Sequence, residues 1–136
     1  MIKIIVGLIG SGKTKKLIKL VNEATANSKG NVICIEKGDK LRYDVSYHCR
    51  LINALEYKID NENEFYGFVS GIIASNSDIT DIFVNSALKL CCESQDDFVK
   101  FLNKISKTIE DNNINLTMTL SISESELKDE LKKYLV

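Results

Sequence analysis

The 136-residue sequence contains no proline and only one histidine, and neither sign of charge dominates it. Lysine and arginine total 18 against 19 acids, a formal net charge of −1. A chain built to hold a nucleic-acid backbone normally carries a net positive field, so no nucleic-acid partner is expected, although a local basic patch stays open. No run approaches the roughly 18–20 apolar residues of a membrane span. The apolar opening Met1–Val6 meets Gly7 and a lysine-rich stretch, with no basic segment before it and no small-residue cleavage site after it. It does not read as a signal peptide, and the expected location is cytoplasmic, without a membrane partner. Cys34, Cys49, Cys91 and Cys92 form no C-x-x-C pair and have no histidine at ligand spacing. They read as reduced, buried thiols, with the adjacent Cys91–Cys92 pair the one place where redox or metal chemistry is conceivable. His48 has no visible acid or nucleophile partner and reads as a surface or packing residue.

The sequence does contain a foldable core. Hydrophobic residues make up 44% and charged residues 27%, which excludes a disordered chain. The length suits one domain, residues 1–136. Ile2–Val6 and Val32–Ile35 are short apolar runs expected of strands covered on both faces. Between them Leu17, Ile18, Leu20, Val21 and Ala24 recur at helical spacing over 13–27, stopped by Ser28-Lys29-Gly30-Asn31. The stretch 41–54 is ambiguous; its β-branched and aromatic content suggests short strands, around Arg50 to Asn53 above all, linked by an irregular loop. Asn61 with Glu64, and Ser94 with Asp97, are N-terminal caps for two further helices that flank a strand at Ile79–Val84. From Ile114 to Ile122 strict alternation predicts a strand, placed between the first strand and Ile79–Val84. Ser123 with Glu126 predicts a last helix carrying Leu127, Leu131 and Leu135. Alternating strands and helices predict an α/β fold, three-layer αβα with a mainly parallel sheet of about five strands.

The chemistry concentrates in Gly7-Leu8-Ile9-Gly10-Ser11-Gly12-Lys13-Thr14, a complete G-x-x-x-x-G-K-T. Gly7 and Gly12 permit torsions that a Cβ would oppose, so successive N–H groups can point into one concavity. Gly10 and Ser11 keep the turn small, and the following helix offers its free amides and dipole to the same anion. Lys13 supplies charge to the β- and γ-phosphates, and the Thr14 hydroxyl suits one position around Mg²⁺. The motif lies between a buried strand and an amphipathic helix, the context it requires. Here the sequence resembles the P-loop (Walker A) nucleoside triphosphatases, with motif identity over these eight residues. The resemblance implies a nucleotide site for ATP or GTP with Mg²⁺.

P-loop enzymes place an acid at the end of a second apolar strand to hold the magnesium shell. At the end of Ile79–Val84 stands Asn85, followed by Ser86, while Asp81 and Asp78 lie too early. Asn85 can hold a magnesium-bound water but supplies no charge and no base. Glu36, at the end of the second strand, is the substitute candidate for base or magnesium-shell ligand, with Asp39 after it. A solvated turn is the alternative for both. Ser121 and Ser123 end the last strand, where they either approach a γ-phosphate or serve as strand-end and cap residues. Arg42 and Arg50 are the only arginines available to stabilise phosphoryl charge. Lys15, Lys16 and Lys19 read as a solvated helix face.

Neither N-K-x-D nor D-x-x-G is present, which argues against a guanine-specific GTPase and leaves ATP by elimination. The order of elements and the loop with Lys37, Asp39, Arg42 and Tyr43 are faintly similar to thymidine kinases, without their zinc-binding cysteines. The chain more closely resembles small single-domain P-loop proteins of clostridia-like bacteria, some labelled twitching-motility ATPases. The shared features are the short strand into Gly7–Thr14, the segment Glu64-Phe65-Tyr66-Gly67-Phe68 and an expected terminal leucine helix. Pilus-retraction motors carry an additional domain and acidic and histidine boxes that are absent here. The expectation is an ATP-binding protein, either a weak or partner-dependent Mg-ATPase or a non-hydrolysing nucleotide sensor, with a small-molecule kinase behind them. A protein partner or homo-oligomer fits the family habit of completing a site with a neighbour's arginine.

Overall fold

Five strands, β1 (Ile2–Val6), β2 (Asn31–Glu36), β3 (Arg50–Asn53), β4 (Ile79–Val84) and β5 (Asn115–Leu120), form one sheet in the order β1-β5-β4-β2-β3. Every pairing is parallel. Three α-helices cross over between them: α1 (Lys13–Asn27), α2 (Glu62–Ser75) and α3 (Gln95–Asp111). The computed structural model describes residues 1–91 and 93–136; Cys92, half of the adjacent cysteine pair, lies outside the described residues.

The period of two along each strand sorts side chains into two layers. Val32 and Cys34 of β2 and Phe83 of β4 pack with Leu17 and Val21 of α1. Ile33, Ile35, Ile82 and Val84 turn the other way, toward Phe65 and Val69 of α2 and Phe98, Phe101 and Ile105 of α3. Phe65 and Phe101 stack at 4.6 Å between ring centroids and join α2 to α3. One helix on one face and two on the other make an arrangement compatible with a three-layer αβα fold. The segment between β2 and β3 closes over the α1 side through Leu41, Val45 and Cys49.

β5 lies between β1 and β4, the expected place, despite the polar residues of one of its faces. Leu116, Met118 and Leu120 enter the larger core, while the polar Thr117 and Thr119 are buried too. The predicted caps of α2 and α3 form: Asn61 Oδ1 accepts from Glu64 N at 2.9 Å and Ser94 Oγ from Asp97 N at 3.2 Å.

The last helix does not form. Two 3-10 turns, Glu124–Glu126 and Asp129–Tyr134, take its place, separated by extended backbone at Leu127 and Lys128. Ser123 donates its hydroxyl hydrogen to Glu126 Oε1 at 3.0 Å and caps no amide. Gln95 of α3 occupies the break from outside. Its Oε1 accepts from Lys128 N at 2.9 Å and its Nε2 donates to Glu126 O at 3.0 Å. Those are backbone groups a continuous helix would pair internally. Leu127 and Leu131 are still buried, and Val136 N reaches Ile4 O at 3.2 Å along the outer edge of β1.

Candidate functional site

All five strands are parallel, so their carboxyl ends share one edge, where ligands of open α/β sheets bind. The Gly7–Thr14 loop leaves β1 at that edge and enters α1. Gly7 N donates to Leu120 O at 3.3 Å and Ser11 N to Leu8 O at 3.0 Å. Gly10 (φ +87°) and Gly12 (φ +88°) take the left-handed conformation, the backbone an anion-binding concavity requires. Gly7 is needed for a different reason from the one its motif position suggests. It has no positive φ, but a Cβ there would overlap the Ser11 hydroxyl. α1 begins with no side-chain cap and no acid in its first turn, so its first amides are left for a ligand.

Lys13, the first residue of α1, is only 9% exposed. Its side chain has no hydrogen-bond or ion-pair partner among the described residues. Lys13 lines the open space beside the loop with no protein anion against it, a position suited to meeting an anionic ligand.

A cleft of about 290 Å³ opens beside the loop and brings together Ile9, Gly10, Lys13, Thr14, Glu36, Asn85 and Ser121, the predicted residues from four elements. Leu8, Ser11 and Gly12 stand on the loop itself, outside this cleft. Glu36 is 3% exposed, and its Oε2 accepts the Leu41 amide at 2.8 Å. Asn85 is fixed at both ends: its N donates to Ile35 O at 2.9 Å and its Oδ1 accepts from the Thr119 hydroxyl at 2.9 Å. That hydroxyl in turn accepts Ser86 N at 2.8 Å, holding Ser86 at φ +55°. The Thr119 hydrogen goes to Asn85, and the Asn85 amide hydrogens have no protein acceptor among the described residues.

Other candidates lie elsewhere. Asp81 pairs in register with Asn115 at the start of β5 and accepts from Thr80 Oγ1 at 2.8 Å, toward the opposite end of the sheet. Asp78 precedes β4 and accepts Asn31 N through its carbonyl. Asp39, Arg42 and Arg50 line a separate hollow of about 300 Å³ beside β3. Ser123 is engaged with Glu126. His48 lies against Tyr47, with ring centroids 4.1 Å apart.

Three cleft lysines escaped the sequence reading as site residues: Lys37, Lys40 and Lys89. None of their side chains has a hydrogen-bond or ion-pair partner among the described residues. Lys37 and Lys40 arrive on the loop after β2, and Lys89 on the 3-10 turn Ala87–Leu90 after β4. Their convergence depends on β2 and β4 being neighbours, which spacing along the chain does not reveal.

For Mg²⁺, the cleft offers the Thr14 hydroxyl and one carboxylate, Glu36, already holding an amide. The Asn85 carbonyl oxygen already accepts from Thr119 and has one lone pair left. Among the described residues no group of three or more His, Cys, Asp or Glu is placed to hold a metal ion. Magnesium favours carboxylate oxygens together with phosphate and water. A cleft of four ammonium groups and one engaged carboxylate does not fit a built-in magnesium site. No helix among the described residues is long and apolar enough to cross a membrane. No protein-family model matches the chain, and no curated protein matches it significantly.

Proposed function

We propose that the chain binds a nucleoside triphosphate, ATP by elimination, with its phosphates on the Gly7–Thr14 loop, and that binding is its primary act. The observation that carries this reading is Lys13: a buried lysine without an anion, at the mouth of an uncapped helix, behind two left-handed glycines. Three further unpaired lysines in the same cleft add to the attraction for a polyanion. Loop amides and the α1 terminus would take the inner phosphates, and Lys13 would lie against the outer ones.

Turnover is the second reading, and Glu36 is the observation that favours it. It is the one carboxylate lining the cleft, oriented by the Leu41 amide. As a base it would accept a proton from an attacking water through its second oxygen. With an amide at position 85 where the P-loop resemblance calls for an acid, a nucleotide sensor is favoured over an efficient hydrolase.

Calorimetric titration with ATP and GTP, with phosphate release followed in the same samples, tests both readings. ATP binding that falls at least about a hundredfold in Lys13→Ala supports the assignment. Phosphate release abolished by both Lys13→Ala and Glu36→Gln would promote the chain to an ATPase. No nucleotide binding to the wild-type protein would sink both readings.

A further inference from the structure

Counting what each cleft group can do toward a ligand gives a lopsided answer. Lys13, Lys37, Lys40 and Lys89 only donate. The Asn85 amide is turned so that its acceptor meets Thr119 and its donors are left over. Thr119 donates its hydrogen to Asn85 Oδ1 and accepts from Ser86 N. Against these stand one carboxylate, Glu36, with one oxygen committed to Leu41, and the hydroxyls of Thr14, Ser86 and Ser121, which can turn to either sense. A triphosphate that arrives with Mg²⁺ has much of its charge already cancelled and presents water-coated metal that seeks acceptors. A bare triphosphate is all acceptor. Charge and hydrogen-bond sense both match the bare anion.

Resting on the nucleotide-binding reading above, we propose that this cleft takes the triphosphate as a metal-free polyanion. Lys37, Lys40 and Lys89 supply the neutralisation that a divalent cation otherwise gives, and Asn85 donates to an outer phosphate oxygen. Position 85 is the pivot. A carboxylate there would repel the bare tail and attract magnesium, whereas the amide, fixed by Thr119, does the opposite.

The test is calorimetry of ATP binding to the full chain, once in excess chelator and once in excess Mg²⁺. Inorganic tripolyphosphate serves as a second probe that isolates the tail from the nucleoside. The wild-type protein is expected to bind ATP in chelator at least as tightly as in Mg²⁺. The triple variant Lys37→Gln, Lys40→Gln, Lys89→Gln should lose at least about tenfold in chelator and markedly less in Mg²⁺. All three lysines are unpaired, so its fold should survive, and thermal unfolding checks this. Asn85→Asp should act in the same direction, weakening the bare anion and making binding magnesium-dependent. Tripolyphosphate should follow ATP across these variants. Wild-type binding seen only with Mg²⁺, or an equal loss in both conditions for the triple variant, overturns the proposal. Absence of ATP binding in either condition defeats the nucleotide-binding reading itself.

Discussion

Cys34 and Cys49 are both buried in the small core between α1 and the sheet, yet they have been placed at different depths of the same problem. Burial pushes the Cys34 thiol far up, and the nearby Cys49 and Glu36 push it in the same direction. Burial also raises Cys49, to about 11, against a weaker opposing hydrogen bond from Thr25. A thiolate is the reactive form, so both cysteines should resist alkylation at neutral pH while the chain is folded and react once it unfolds. The same shift has a stability consequence. Above the ordinary thiol range the unfolded chain releases protons that the native state retains, so stability must fall as pH rises. Thermal unfolding should show a declining melting temperature between pH 9 and about 11, and Cys49→Ala should flatten part of that decline. A midpoint indifferent to pH over this window would mean the thiols are not as buried as they stand. The glycine-rich turn Gly7–Thr14 between β1 and α1 was legible at this same scale, because eight contiguous residues carry its motif. The division of labour within it was not: Gly10 rather than Gly7 takes the left-handed torsion, since Gly7 answers to the Ser11 side chain beside it.

Elements were legible where their signal is local and illegible where a distant residue decides. The two α-helical caps at Asn61 and Ser94 each reach an amide three residues on, and both form. Ser123 and Glu126 spell the same signal but are overruled by Gln95, 31 residues from Glu126 in sequence, which takes the backbone groups a helix would need. A comparable long-range constraint sits at the turn from α1 into β2. A Cβ on Gly30 would overlap the Asp78 carbonyl oxygen and press on Thr80 Cγ2. That same carbonyl accepts Asn31 N at 2.8 Å, where β2 begins beside β4. Gly30→Ala therefore has to push apart the amino ends of two central strands, at a cost of about 1–3 kcal/mol. Denaturant titration should show the loss in full. ATP affinity per folded molecule should stay unchanged, because the cleft lies at the carboxyl ends. A variant as stable as the wild type would mean that the turn yields more easily than its close contacts imply.

At the scale of the whole molecule, the near-neutral composition conceals an uneven distribution of charge. Among the described residues six ion pairs lie on the surface, and the lysine or arginine in each is at least 40% exposed. Pairs of this kind contribute roughly 0–1 kcal/mol apiece and are readily screened. The cleft lysines belong to none of them. They are brought together by sheet order, β2 beside β4, and it is this topology that turns three scattered residues into a field at the end of the sheet. The counts of 18 cations and 19 anions could not reveal it. Stability and ligand binding should therefore part company as salt is raised. The core is apolar and its surface pairs are weak, so sodium chloride from roughly 0.05 to 0.5 M should move the unfolding midpoint little. Over the same range ATP affinity should fall by on the order of tenfold, because several separated positive charges share the attraction. The Lys37, Lys40, Lys89 triple glutamine variant should show a shallower dependence. If wild type and variant respond alike, the attraction comes from Lys13 and the loop amides alone, and the lysine rim is ordinary solvated surface.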